Sequence, residues 1–71
     1  MKSFESFFYD SNYGKNYDNL SSEERQARLT AAKAFWDASL RADDTISDGE
    51  MDYLEKKSAG EYNNMLHEAA A

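Results

Sequence analysis

Six carboxylates and no basic residue lie within the thirteen positions from Asp43 to Glu55. They are Asp43, Asp44, Asp48, Glu50, Asp52 and Glu55. The formal net charge of the 71-residue chain is −6, so the rest of the chain is close to neutral. A charge block of this kind favours contact with a cation or with a basic protein surface.

A helix that begins within this block would place Asp48, Asp52 and Glu55 on one face. Carboxylates spaced along a rigid helix can imitate phosphates to a protein with a basic groove, and they can speed its association. The same acidic balance argues against direct binding to nucleic acid, whose affinity comes largely from Lys and Arg. The sequence therefore predicts a partner that is a larger protein with a basic surface, or a multi-subunit assembly.

The acidic block also resembles in part the calcium loop of the EF-hand family. With the required glycine at Gly49, Asp44 takes loop position 1 and Glu55 takes position 12. Position 3 then falls on Ile46, which has no side-chain oxygen. The resemblance implies a degenerate, calcium-responsive hairpin as an alternative function, but the missing ligand leads us to expect no metal ion.

Catalytic chemistry has little support in the sequence. There is no cysteine, which excludes a thiolate nucleophile, a thiolate metal site and a disulfide. The only histidine, His67, has no second strong nitrogen ligand near it and is not part of a visible nucleophile–base arrangement. We therefore expect a protein that is not an enzyme and has no cofactor.

Two capping-box patterns predict the helices that carry the acids. Ser21 with Glu24, and Ser47 with Glu50, have the spacing of reciprocal helix N-caps. They predict helices over 22–42 and about 47–68, and the short connection predicts an antiparallel helical hairpin. Trp36 and the adjacent Phe35 are interpreted most simply as core residues of the first helix, and either is a binding anchor if the arm packs elsewhere.

Gly60 lies inside the second of these helices. Glycine costs about 1 kcal/mol relative to alanine in a helix interior. Ser58 and Glu61 also have the spacing to cap a new helix. A continuous helix with a weak point near Gly60 is favoured, and a break into 47–58 and 61–69 is the alternative.

Residues 1–20 are predicted to form an aromatic, partly irregular arm, with helical spacing of the rings over 3–9. The chain has ten aromatic residues, and a small domain needs their apolar area for its core. One interpretation is a lid packed on the hairpin, and the other is an arm that orders on a partner. The rings proposed for partner contact are Phe4, Phe7, Phe8, Tyr13 and Tyr17.

These observations predict a single all-α domain over 1–71. The start of the chain has no signal-peptide pattern, and no apolar run approaches a membrane span. We therefore expect no membrane contact, and a cytoplasmic location or one within a particle assembled there. The predicted function is an acidic adaptor or inhibitor that docks its Asp43–Glu55 surface on a basic patch of a larger protein. Small accessory proteins of phages and mobile elements resemble this chain in size and charge. A minor structural component of a virus particle is the alternative, and the sequence leaves self-association open.

Overall fold

A computed structural model describes residues 3–70. Helix α1 spans Phe4–Asp10, α2 spans Ser22–Ala42 and α3 spans Asp48–Ala70. Two short 3-10 turns, Asn12–Gly14 and Tyr17–Asn19, connect α1 to α2. The described residues contain no strand, so the predicted all-α class is confirmed. Within the same residues no helix combines the length and apolarity that a membrane crossing requires.

Both predicted capping signals operate at the starts of the long helices. The Ser21 hydroxyl accepts the backbone N–H of Glu24 at 3.3 Å and donates to the Glu24 carboxylate at 3.1 Å. The Ser47 hydroxyl accepts the backbone N–H of Glu50 at 3.3 Å. Helix α2 has the predicted bounds, whereas α3 begins one residue later than predicted and continues to Ala70.

Helix α3 is continuous through Gly60, so the predicted alternative of a break there is wrong. Ser58 is buried, and its hydroxyl donates to the backbone carbonyl of Glu55 at 3.1 Å. A serine bonded back into its own helix does not cap a new one. Glu61 instead binds the start of α1, where its carboxylate accepts the backbone N–H of Phe4 at 3.0 Å.

Helices α2 and α3 lie antiparallel. The Ser22 hydroxyl, at the start of α2, donates to the backbone carbonyl of Ala69 at 2.6 Å, near the end of α3. Farther along, the hydroxyls of Thr30 and Tyr62 lie 3.3 Å apart. As the position in α2 increases, the contacted position in α3 decreases, which is the arrangement of a helical hairpin.

The core lies between this helix pair and α1. Phe4 and Phe8 are fully buried, and Trp36 is 7% exposed. The ring of Phe4 meets the rings of Trp36 and Tyr62 edge-on, with centroids 6.0 and 6.1 Å apart. Aromatic edge-to-face contacts of this kind add to the area that the rings remove from water. Helix α1 is therefore the third layer of a small core. The buried set is Phe4, Phe8, Tyr17, Leu29, Ala32, Trp36, Leu40, Ser58, Met65 and Ala69.

Two arginines of α2 hold the 3-10 turns in place. Arg28 donates to the backbone carbonyls of Tyr13 and Lys15 at 3.0 and 3.2 Å. Arg25 donates to the carbonyls of Tyr17 and Asp18 at 3.3 and 2.8 Å. Hydrogen bonds from a charged donor are stronger than neutral ones. The segment that looked irregular in sequence is therefore fixed by α2.

Candidate functional site

The six carboxylates of the acidic block surround the junction between α2 and α3. Asp43 is the C-cap of α2, Asp44 lies in the connecting turn, and the remaining four lie on the first turns of α3. Asp44, Asp48, Glu50 and Asp52 are exposed, and Asp43 and Glu55 are half-buried. We call the four exposed carboxylates the acidic surface. The six acids thus lie at one helix junction, and Glu50, two positions from both Asp48 and Asp52, lies on a different side of α3.

Hydrogen bonds fix the turn that carries this surface. The Asp43 carboxylate accepts the backbone N–H of Thr45 at 2.9 Å and the Thr45 hydroxyl at 2.5 Å. The hydrogen bond from the Thr45 hydroxyl, followed by that from its backbone N–H, lowers the pKa of Asp43 from its ordinary value. Asp43 is therefore ionised at neutral pH and adds its charge beside the acidic surface.

The acids of α3 differ in what stabilises their negative charge: the helix dipole does so in the first turn, and a lysine does so one turn later. Asp48 and Glu50 lie in the first turn of α3, where the helix dipole stabilises negative charge. Asp52 forms an ion pair with Lys56 one turn along, at 3.1 Å. Both side chains of that pair are mostly exposed, so it contributes little stability. Its formation leaves the acidic surface with a net negative charge.

The backbone at this junction differs from that of a calcium loop. The calcium register needs open loop through Asp52, whereas the chain is helical from Asp48 onward. Over residues 3–70, no group of three or more His, Asp or Glu side chains is placed to hold a metal ion. The geometry therefore gives the calcium-responsive alternative no support.

The aromatic candidates of the arm are mainly core residues. Phe4 and Phe8 are fully buried and Tyr17 is 9% exposed, so in this conformation their rings are not available to a partner. Phe7 and Tyr13 are half-buried. Burial raises the pKa of Tyr17, an effect that nearby Tyr9 increases and Arg25 opposes. Its hydroxyl is therefore neutral at physiological pH.

Phe35 is the aromatic residue that sequence reasoning placed incorrectly. Its side chain is 53% exposed, whereas it was interpreted as core. The buried face of α2 is formed by Leu29, Ala32, Trp36 and Leu40. Phe35 lies one residue, or about 100° of helical rotation, from Trp36, and that offset was the signal available in the sequence. Its ring stacks on Phe7, with centroids 5.9 Å apart, and lies 6.3 Å from Tyr13.

A groove runs beside this exposed ring. Its volume is about 370 Å³. On one side it is bounded by the first 3-10 turn and on the other by the outer face of α2. The lining residues are Asn12, Tyr13, Glu24, Ala27, Arg28 and Ala31.

Comparison with known proteins gives no relative. No protein-family model matches the chain, and no curated protein and no solved structure matches it.

Proposed function

We propose that this protein is a non-catalytic interaction module that docks its acidic surface on a basic patch of a larger protein. The observation that carries the proposal is the exposure of Asp44, Asp48, Glu50 and Asp52 around one helix junction. Charges concentrated in this way steer a basic partner toward one orientation and discriminate against acidic partners.

Hydrogen bonds also hold the backbone of the junction, which favours its use as a binding surface. The Asp43–Thr45 and Ser47–Glu50 hydrogen bonds fix the backbone on both sides of Asp44. A surface that is ordered before binding loses less conformational entropy when the complex forms.

The partner class that best fits this surface is a nucleic-acid-binding protein. Asp48 and Asp52 are one helical turn apart, which makes them neighbours on the helix surface. Asp44, in the turn just before α3, adds a third exposed negative charge next to this pair, and a basic groove that binds phosphates favours such a local concentration of negative charge. The role of the protein would then be that of an inhibitor or adaptor that occupies the basic groove.

The alternative of a virion component attached by the rings of the arm has weaker support. That role requires accessible rings, but of the five candidates Phe4, Phe8 and Tyr17 lie in the core, and Phe7 and Tyr13 are half-buried. The acidic surface, in contrast, is accessible without any rearrangement.

Zero-length carbodiimide cross-linking in extracts of the native cells tests the proposal, because it joins a carboxylate directly to a contacting lysine. Mass spectrometry should find cross-links from 44–52 to one basic protein. A matched control protein carries Glu5→Gln, Glu23→Gln and Glu68→Gln, three exposed acids outside the surface, and should give the same cross-links. Cross-links spread over all acids, or lost in the control protein, would contradict the proposal.

A further inference from the structure

The outer face of helix α2 consists of four alanines, with Glu24 at its first end and Arg41 at its last. The residues along it are spaced alternately by three and four positions, as in a coiled-coil seam. All of them are exposed, and they are Glu24, Ala27, Ala31, Ala34, Ala38 and Arg41. Between Glu24 and Arg41 every position of this face is an alanine, so no charged or bulky side chain keeps a second helix at a distance.

We propose that this face binds a second copy of the same chain, so that two α2 helices pack antiparallel about a twofold axis. If the twofold axis passes between residues 32 and 33, each seam residue of one copy lies opposite the seam residue of the other copy that is equally far from the axis on its other side. Ala31 then lies opposite Ala34 of the second copy, and Ala27 lies opposite Ala38. The short alanine side chains allow the two backbones to approach closely, as in other interfaces built on small residues.

Charge complementarity selects a second copy as the occupant. In the antiparallel register, Glu24 of each copy lies opposite Arg41 of the other, so opposite charges meet at both ends of the interface. The seam is therefore complementary to itself, which is the requirement for a closed twofold dimer. A parallel arrangement would instead place Glu24 against Glu24 and Arg41 against Arg41.

The exposed ring of Phe35 gives a second, independent argument for this register. In this register Phe35 of one copy is at the same height along the helix pair as residue 30 of the other copy. It is therefore close to Ala27, Arg28 and Ala31 of that other copy. Those three residues line the groove of about 370 Å³. The twofold axis is perpendicular to the plane that contains the two α2 helices, so it leaves both Phe35 rings on the same side of that plane. This is the side of Tyr13, which contacts Phe35 and also lines the groove. The half-exposed ring of each copy thus enters the groove of the other.

A charge-exchange experiment on the full chain tests this register. Sedimentation equilibrium should show a dimer for the unaltered protein at concentrations up to about 1 mM, the range in which weak pairs are populated. Glu24→Arg and Arg41→Glu should each be monomeric, because each places like charges at both ends. Mixing the two variants should restore a dimer that contains one copy of each, because both ends then become complementary again.

A second pair of variants tests the alanine seam itself. Ala31→Glu adds a charge near the axis and should abolish the dimer, whereas Ser39→Glu adds the same charge at an exposed position of α2 outside the seam and should not. Circular dichroism of both variants should show unchanged helicity, since both positions are exposed. A monomeric unaltered protein at about 1 mM, or a mixture that stays monomeric, would overturn the proposal. Equal behaviour of Ala31→Glu and Ser39→Glu would also overturn it. None of these results depends on the acidic surface.

Discussion

The carboxylate of Glu61, in the middle of α3, accepts the backbone N–H of Phe4 at a distance of 3.0 Å. The first N–H groups of a helix have no partner within the helix, and negative charge is favoured there. Ser3 satisfies a second such group by accepting the N–H of Ser6 at 3.1 Å. A helix of only seven residues is thus anchored to the hairpin by a contact between residues 57 positions apart.

Replacement of Glu61 should therefore loosen α1. We expect Glu61→Ala to lower the free energy of unfolding by about 1 kcal/mol, the usual cost of losing a helix N-cap. Glu61→Gln should cost less, because its amide oxygen can still accept the hydrogen bond. Urea denaturation measures both, with Glu68→Ala as an exposed control on the same helix. Equal stability of Glu61→Ala and Glu68→Ala would show that the contact does not anchor α1.

This contact also shows where local sequence reasoning reaches its limit. The capping signals at Ser21 and Ser47 predicted the helix starts because a cap involves residues only three positions apart. The same spacing at Ser58 and Glu61 suggested a third helix start, but Glu61 has its partner on α1. Only the tertiary arrangement distinguishes these two uses of one pattern.

Two glycines should respond in opposite directions to the same substitution. A Cβ atom at Gly14 would lie 2.5 Å from the carbonyl oxygen of Phe8 and 2.9 Å from the Cα of Tyr9, both backbone atoms. Gly14→Ala should therefore destabilise the protein by about 1–3 kcal/mol through overpacking. At Gly60 a Cβ would meet nothing within 4 Å, so Gly60→Ala should stabilise it by about 1 kcal/mol. Equilibrium urea unfolding gives both signs, and a stabilising Gly14→Ala would contradict the close backbone approach.

Adjacent rings on α1 should differ strongly in their contribution to stability. Phe8 is fully buried, whereas Tyr9 is 53% exposed. Phe8→Ala should cost about 3–5 kcal/mol, enough to remove cooperative thermal unfolding in a domain of this size. Tyr9→Ala should cost about 1 kcal/mol, since it loses only edge-to-face ring contacts. Melting curves by circular dichroism that shifted equally for both variants would argue that α1 is a detachable arm rather than part of the core.

The Asp43–Thr45 hydrogen bonds give a prediction about pH. Because they lower the pKa of Asp43 below its ordinary value of 3.8, their stabilising effect is present above that value. It is lost as the pH falls through the lower pKa of the folded state. Thr45→Val removes the hydroxyl donor, so the pKa of Asp43 should rise toward its ordinary value. Carboxyl NMR titration measures this shift directly, and an unchanged pKa in Thr45→Val would show that the hydroxyl bond is not formed in solution.

The candidate site was predictable to the extent that it depends on neighbours in sequence. The acids from Asp43 to Glu55 are close together in the chain, so any helical junction places them near one another, although Glu50 lies on a different side of α3 from Asp48 and Asp52. The exposure of Phe35 depends on which face of α2 is covered by α1 and α3, and the groove beside it depends on where Arg28 holds the first 3-10 turn. Both features follow from contacts between distant segments, which periodicity alone does not specify.

The most direct test of the acidic surface compares two proteins with the same net charge. One carries Asp44→Asn, Asp48→Asn and Asp52→Asn, and the other carries Glu5→Gln, Glu23→Gln and Glu68→Gln. The affinity of each protein for the basic partner identified by cross-linking is measured at low and high salt.

We predict that the first protein binds this partner about tenfold more weakly than the unaltered protein does at low salt, as loss of three exposed charge contacts would give. The second should bind nearly as well as the unaltered protein, and the difference should shrink at high salt as charges are screened. Equal affinities of the two variants at low salt would contradict the central claim, because binding would then depend on total charge and not on this surface.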